Sequence, residues 1–280
     1  MRHFPLLLGR SRRTSARVTR ELFDRRLRAL RRDRAARIGT EMFLYDRAFD
    51  DCVDRLRDIP QQFDRALLIG CPSPDWPGRL RELAGQVDVV DPGALFAGKA
   101  DGQQVEEDRH DFGEARYDLC VAIGTLDTVN DLPLALRLLQ RALVDDAPLI
   151  GALAGGNSLS AFRSALIESG RKAGRIVART HPRIDPSSLA QLLSTAGYSM
   201  PVVDVDRVTI RYPGLDALVR DLRAMGATSV LTERAPLPTR TEFKQLRNAY
   251  AAMRSHGRTE EIVEILHFLG WAKHSRQASN

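Results

Sequence analysis

The chain has few cysteines and no long hydrophobic run. Its three cysteines, Cys52, Cys71 and Cys120, lack the spacing of a metal-binding or redox motif and favour a reducing compartment. No apolar stretch approaches the roughly 20 residues needed to span a bilayer, so we predict no transmembrane segment. The six histidines are scattered, and their positions indicate no metal site. These absences leave the composition of an ordinary globular domain, with 43% hydrophobic and 28% charged residues.

Acidic residues are scarce in one region, the amino terminus. Residues 1–40 carry thirteen arginines against three acids, a local charge of +10, although the net charge of the whole chain is only +6. The rest of the chain is therefore slightly acidic, with a net charge of −4. We favour a solvated basic tail and first helix over an arm that binds a partner, and we predict no specific nucleic-acid partner.

We interpret residues 1–19 as a flexible basic segment ahead of a single domain at 20–280. The lack of acids and the frequent Ser, Thr and Arg in residues 1–20 also match a mitochondrial presequence. Arg-rich bacterial amino termini have the same composition. We therefore predict a bacterial cytoplasmic protein, with the mitochondrial matrix as the alternative.

Helices alternate with strands along the predicted domain. Apolar side chains recur at near-helical spacing in the range 21–56, which predicts amino-terminal helices within 20–60. Asp131 and Asp185 lie where further helices are expected to begin. The alternation predicts βαβ units and a mainly parallel sheet. Strands are predicted at 63–70, 87–91, 117–124, 148–153, 201–212 and 261–269, within a core at 63–213, a helical insertion at 214–256 and a closing strand at 257–272.

The most informative stretch is ALLIGCPSPDWPGRL, residues 66–80. It is typical of a buried strand that ends at Gly70 and turns into a helix, where nucleotide-binding α/β domains hold their ligand. A strand ending in Gly-Cys is also typical of the loop that binds S-adenosylmethionine (SAM) in class I methyltransferases. Here Pro72, Ser73, Pro74 and Asp75 replace the later glycines, and a proline donates no backbone N–H. The sequence predicts a SAM-type fold with an altered cofactor loop.

Motifs spread over residues 22–272 resemble one known family. The most specific are VNDLP at 129–133 and the pair YPG at 212–214 and MGA at 225–227. Further matching stretches are FDRRL (23–27), RDRAA (32–36), DRLRDIP (54–60), GALAGGNSLSAFR (151–163) and HPRIDP (181–186). Together they resemble the mitochondrial complex I assembly factor 5 family and its alphaproteobacterial relatives.

This resemblance implies both a fold and a function. The implied fold is α/β, of the class I SAM-methyltransferase type, with a mainly parallel seven-stranded sheet, helices on both faces and a late helical insertion. The implied partner is a protein substrate, a subunit of respiratory complex I, with either arginine hydroxylation or a chaperone-like assembly role. A more distant resemblance to malonyl-carrier-protein O-methyltransferases implies an alternative, a SAM-dependent methyltransferase acting on a small or carrier-bound acid. A third alternative is a catalytically inactive scaffold.

In a SAM-binding fold, the candidate cofactor residues lie where the predicted strands end. Asp91 ends the second strand, where a carboxylate can accept hydrogen bonds from both ribose hydroxyls; its other possible role is a cap before Pro92. Asp108 could face the adenine amino group, although a run of acids is more often solvated. The predicted cofactor-binding residues are Gly70, Cys71, Asp91, Pro92, Asp108, Gly124 and Thr125.

The predicted substrate-binding residues follow the third and fourth strands. Asn130 follows the third strand, and Gly155 and Asn157 follow the fourth, at the edge where ligands collect in such folds. His181 and Tyr198 are the obvious acid/base-capable groups outside the cofactor loop, and we favour a structural or exposed role for His181. No nucleophile–base pair is evident, so the catalytic residue stays unassigned.

Overall fold

A single mixed β-sheet organises the computed structural model, which describes residues 21–39, 42–174 and 178–274. The strands are β1 (Phe63–Ile69), β2 (Ala84–Asp91), β3 (Gln103–Gln104), β4 (Leu119–Ile123), β5 (Pro148–Ala154), β6 (Tyr198–Tyr212), β7 (Arg254–Ser255) and β8 (Arg258–Ala272). The helices are α1 (Arg25–Ile38), α2 (Phe43–Arg57), α3 (Trp76–Leu80), α4 (Ala94–Lys99), α5 (Leu132–Ala142), α6 (Ser160–Lys172), α7 (Pro186–Thr195), α8 (Leu215–Ala224) and α9 (Arg240–Ala252).

The strand order is β3-β2-β1-β4-β5-β8-β6, and the short β7 pairs with β8 outside this path. Strands β1 to β5 pair in parallel, whereas β8 lies antiparallel to both β5 and β6. The prediction of a mainly parallel α/β sheet is therefore confirmed, with β3 and β7 as short strands that the sequence pattern did not indicate. None of the described helices combines the length and apolar composition that crossing a bilayer requires.

Some predicted boundaries differ from the observed ones. The amino-terminal helical range divides into α1 and α2, because α1 ends at Ile38 and the next residue, Gly39, adopts a φ of 77°. Glycine adopts a positive φ readily, and the ψ of 147° at Gly39 takes the chain out of the helical conformation. Strand β8 (Arg258–Ala272) extends beyond the predicted strand at 261–269 and covers almost the whole predicted closing segment at 257–272, and β6 begins at Tyr198. The predicted basic segment at 1–19 lies outside the described residues.

The core lies on both faces of the sheet. Along β1, Leu68 packs with one apolar cluster, while Leu67 and Ile69 pack with the other. This alternation follows from the two-residue period of a strand. Because helices cover both faces, the continuous apolar run of β1 is buried throughout, as is typical of a parallel sheet. The carboxyl ends of the parallel strands consequently meet at one edge, where the candidate site lies.

The altered loop after β1 is anchored by Trp76. Its indole stacks on the Phe49 ring of α2, with ring centroids 4.3 Å apart and an interplanar angle of 2°. The indole N–H donates a hydrogen bond to the Asp46 carboxylate at 3.0 Å. The Arg79 guanidinium lies 5.0 Å from the Phe49 ring centroid. These contacts fix the turn against α2 by burial and stacking.

We predict that Trp76→Ala lowers the free energy of unfolding by about 3–5 kcal/mol, because the substitution leaves a large cavity in a packed core. Urea unfolding followed by circular dichroism measures the change. Met200→Ala is the control, since Met200 is 71% exposed and its truncation should cost less than about 0.5 kcal/mol. A similar small loss in both variants would contradict the anchoring role of Trp76.

Candidate functional site

Gly70 closes the first strand at the expected edge of the sheet. It adopts a φ of 77°, and its N–H donates a hydrogen bond to the Val90 carbonyl at 2.9 Å. A Cβ at this position would lie 2.2 Å from the Ile123 carbonyl oxygen and 2.6 Å from the Thr125 side chain. The close approach that requires glycine here is thus an approach to β4 and the residues after it.

Asp91 ends β2 and is fully buried. One carboxylate oxygen accepts hydrogen bonds from Arg32 Nε at 2.7 Å and from the Gly93 N–H at 2.7 Å. The other accepts from Arg32 Nη2 at 2.5 Å and from the Cys71 N–H at 3.0 Å. A carboxylate offers about four lone-pair sites. In this conformation the protein itself therefore satisfies Asp91, and no acceptor is left for ribose hydroxyls.

Arg32 belongs to a row of arginines on α1 that we name the arginine ladder: Arg25, Arg28 and Arg32. Spacings of three and four residues place them on one face of the helix. Arg28 donates two hydrogen bonds to Glu107, at 2.6 and 2.8 Å, and one to the Thr125 carbonyl at 2.8 Å. Arg25 donates two to Asp108, at 2.5 and 2.7 Å. The ladder therefore pairs with both acids that the sequence analysis assigned to the nucleoside.

The face of helix α1 that carries the arginine ladder points to the sheet edge. Asp24 caps the helix, because its side chain accepts a hydrogen bond from the Leu27 N–H at 2.9 Å. The expectation that the arginines of the first helix are solvated is wrong for Arg28 and Arg32, which are 3% and 6% exposed. Leu30, by contrast, is 50% exposed. Bidentate pairing offsets the cost of burying the guanidinium groups.

The electrostatics of the ladder keep its ion pairs charged at neutral pH. Burial alone raises the pKa of the Glu107 carboxyl, but the Arg28 guanidinium more than offsets it, so this pKa lies below its ordinary value. Asp108 behaves in the same way. Burial raises the pKa of its carboxyl, but the Arg25 guanidinium more than offsets this, so the pKa lies below its ordinary value. Glu106 differs: burial raises the pKa of its carboxyl despite the nearby Arg28. Glu107 and Asp108, each held by two hydrogen bonds from one arginine of the ladder, are thus stable anions at neutral pH.

The remaining predicted cofactor residues also contact other parts of the chain. The Pro92 carbonyl accepts a hydrogen bond from Gln104 at 3.0 Å. Gly124 adopts a φ of 63°, and a Cβ there would lie 2.2 Å from the Tyr45 ring. Burial raises the pKa of the Cys71 thiol to about 12, which keeps it protonated and unreactive as a nucleophile. Gly124 is thus the predicted cofactor residue that packs directly against Tyr45 of α2.

The predicted substrate residues lie near the same edge. The Asn130 side chain accepts from the Phe23 N–H at 2.8 Å and donates to the Phe23 carbonyl at 2.9 Å. Asn157 donates its backbone and side-chain N–H groups to Glu264, at 3.0 and 3.2 Å. Gly155 packs so closely that a Cβ would lie 2.9 Å from Leu266. All three therefore make structural contacts that hold the segments bordering the site.

A cavity of about 110 Å³ lies beside the ladder, at the ends of β4 and β5. Its walls include Arg28 and Arg32, apolar residues of α2 and α8, and a group of polar side chains that the sequence analysis did not assemble: Tyr45, Asp127, His181 and Arg183. The described residues contain no group of three or more side chains placed to hold a metal ion. Tyr198 lies elsewhere, with its buried hydroxyl donating to the Leu136 carbonyl at 3.1 Å.

The ladder predicts a specific loss of stability in acid. Because the pKa of Glu107 is lower in the folded than in the unfolded chain, its ionised form stabilises the fold above its ordinary value of 4.5, and this stabilisation is lost as the pH falls through the depressed pKa. Between about pH 5 and pH 3, the free energy of unfolding should fall more steeply for the native chain than for Glu107→Gln. Urea unfolding at several pH values measures both slopes.

The exposed Glu114→Gln serves as the matched control and should keep the native slope. Equal slopes for the native chain and Glu107→Gln would show that Glu107 does not titrate as a buried partner of Arg28.

The chain has clear relatives among known proteins, although no protein-family model matches it. It is 31% identical over 276 residues to the mitochondrial arginine-hydroxylase NDUFAF5 of Rattus norvegicus, covering 92% of this chain and 79% of the relative. The Homo sapiens protein of the same name is 30% identical over 279 residues, covering 93% and 79%. A malonyl-[acyl-carrier protein] O-methyltransferase of Laribacter hongkongensis is 30% identical over 170 residues, covering 56% of this chain and 55% of that protein.

Solved structures share the fold at low sequence identity. The YcgJ protein of Bacillus subtilis superposes with a TM-score of 0.56 at 11% identity, covering 81% of this chain and all of that one. A protein of Bacillus halodurans assigned as a methyltransferase gives a TM-score of 0.55 at 12% identity, covering 80% and 100%. The fold is that of the class I SAM methyltransferases, and the resemblance found in the sequence motifs is confirmed. The chain belongs to the family of the mitochondrial arginine-hydroxylase NDUFAF5.

Proposed function

We propose that this protein acts on a subunit of respiratory complex I as an assembly scaffold, with its nucleoside site closed by the arginine ladder. Membership of the NDUFAF5 family and the motifs shared with complex I assembly factors support a protein partner. The single observation that favours a scaffold over an enzyme is the buried Arg32–Asp91 pair, which satisfies the carboxylate that a nucleoside would need. For its location we retain the bacterial cytoplasm, with the mitochondrial matrix as the alternative that the relatives' names support.

The residues present do not fit an adenosine group in this conformation. Asp91 is fully buried and accepts four hydrogen bonds from the chain, and Asp108 is 4% exposed and paired with Arg25. At the methionine end, Pro72 and Pro74 remove two backbone donors. We therefore derive no transfer step through SAM.

The loss of SAM affinity that the Arg32–Asp91 pair would cause can be bounded. Breaking a buried ion pair by taking away one partner costs about 3–5 kcal/mol. A micromolar affinity corresponds to roughly −8 kcal/mol, and each 1.4 kcal/mol is tenfold in affinity. Displacing Arg32 alone would thus weaken such a site by about a hundredfold to several thousandfold. The closed ladder would thus move a micromolar SAM dissociation constant to between about 0.1 mM and several millimolar.

A SAM-dependent enzyme is the second candidate, either an arginine hydroxylase or a methyltransferase acting on a small or carrier-bound acid. The names of the two groups of relatives favour it. It requires helix α1 to leave the sheet edge, so that Asp91 and Asp108 exchange their arginine partners for a nucleoside. The scaffold and the enzyme therefore differ in one measurable property, the affinity for the cofactor.

Calorimetric titration of SAM and S-adenosylhomocysteine separates the two candidates. We expect no detectable binding to the native chain and measurable binding to Arg32→Ala, because that change frees the Asp91 carboxylate. Arg26→Ala is the matched control, since Arg26 is an exposed arginine of the same helix. Micromolar binding by the native chain would refute the closed site and place the enzyme first. Arg32→Met keeps the side-chain volume if Arg32→Ala does not fold.

Complex I assembly tests the scaffold in cells. In cells that lack this protein, the double variant Arg32→Met with Asp91→Asn should restore NADH dehydrogenase activity as well as the native chain does. The double variant neutralises both partners together, which avoids leaving one unpaired buried charge. An enzyme that holds its cofactor through Asp91 would lose that activity. Restoration by the native chain and failure of a folded double variant would therefore contradict the scaffold.

A further inference from the structure

The cavity beside the ladder has one polar end, formed by Tyr45 of α2, Asp127 after β4, and His181 and Arg183 before α7. We name this group the polar end. The side chains of Arg183 and Asp127 remain 15% and 16% exposed. Most of the deeper lining is almost fully buried, as at Ile123 and Leu218. The polar end therefore lies on the side of the cavity that a ligand can enter.

Arg183 carries a donor without an acceptor. Its Nη1 is buried and has no hydrogen-bond partner among the residues that the structure describes. The nearest carboxylate oxygen, Asp127 Oδ2, lies 3.6 Å away, which is too long for a hydrogen bond. Buried N–H groups are nearly always paired, so an unpaired one beside a cavity indicates a missing acceptor. The separation of these two opposite charges also leaves a gap that a ligand can bridge.

The other two members of the polar end are uncharged. His181 Nε2 accepts a hydrogen bond from the Val230 N–H at 2.8 Å, so the proton of the neutral ring is on Nδ1. Burial lowers the pKa of His181 and raises that of Tyr45, which keeps the imidazole neutral and the phenol protonated. Arg28 and Arg32 are balanced by their ladder partners. One cation and one anion remain, and the polar end is neutral overall.

The rest of the cavity accepts an apolar group of limited size. Its volume of about 110 Å³ is somewhat smaller than the roughly 150 Å³ of an engineered apolar cavity that binds benzene. The apolar lining includes Leu44, Leu159, Leu218, Leu222, Val263 and Ile265. A short stem of a few carbon atoms matches this space.

We propose that the cavity binds a primary carboxamide on a short apolar stem. The amide oxygen accepts a hydrogen bond from Arg183 Nη1, and the amide NH2 donates to Asp127. A carboxylate head would meet the Asp127 charge, and an ammonium or guanidinium head would meet Arg183; like charges in contact are strongly unfavourable. Because the polar end lies at the entrance and the apolar lining lies deeper, the stem enters first, and the ligand is a free amide rather than a glutamine side chain, whose carboxamide is its outermost group.

Three probes with the same stem test the head group: pentanamide, pentanoate and pentylamine, titrated into the native chain by ligand-detected NMR. We expect pentanamide to bind about tenfold more tightly than either charged probe. A capped Ala-Gln-Ala peptide tests the orientation, since its stem cannot reach the deeper lining and it should bind more weakly than pentanamide. If pentanamide does not bind, or if a charged probe or the peptide binds best, the proposal is refuted.

Two variants should change the preference in opposite directions. Asp127→Asn removes the anion, so pentanoate should become the preferred probe; Arg183→Gln removes the cation, so pentylamine should become preferred. The exposed Arg171→Gln is the control and should keep the native order. Asp127→Asn is isosteric and keeps the test decisive if Arg183→Gln does not fold. An unchanged order of affinities in folded Asp127→Asn would overturn the proposal.

Discussion

A buried bidentate ion pair between Arg32 and Asp91 positions several parts of the structure at once. The same carboxylate accepts the Cys71 N–H after β1 and the Gly93 N–H before α4, so it joins helix α1, the altered loop and the end of β2. Removing either charge would leave the other buried and unpaired, at a cost of about 3–5 kcal/mol. This contact therefore ties the first helix to the sheet edge, beside the apolar packing of Ala35 and Ala36 against Phe96.

The ladder also changes how acids at this sheet edge should be interpreted. In a nucleotide-binding fold, an acid at the end of the second strand indicates a nucleoside contact. Here Asp91, Glu107 and Asp108 face arginines from the same chain, whose planar, multiply donating heads replace the hydrogen bonds a ligand would supply. The fold therefore keeps its acids at this edge while their hydrogen-bonding capacity is taken up internally. That arrangement supports the proposed scaffold and explains why the family relationship and the closed site coexist.

The sheet could be predicted from the sequence because its signal is local: β1 is a continuous apolar run ending in glycine, and Asp131 and Asp185 cap α5 and α7 as expected. The site could not be predicted, because the residues that contact one another there lie far apart in the sequence. Arg32 lies 59 residues from Asp91, and apolar periodicity indicates nothing about a helix that buries arginines. The only local signal was the spacing of three arginines on one helical face, with three consecutive acids at 106–108 as a matching set. Asp127 and Arg183 are brought together only by the fold.

Burial of the ladder makes it largely insensitive to salt. At 0.1 M salt, mobile ions largely screen interactions between exposed charges more than about 10 Å apart, whereas charges enclosed by protein are screened much less. Three of the thirteen arginines in residues 1–40 are also paired with acidic residues of the same chain. The basic end of the chain therefore presents less charge to an acidic surface than its sequence suggests. Ionic strength should therefore change what this end of the protein attracts without loosening its first helix.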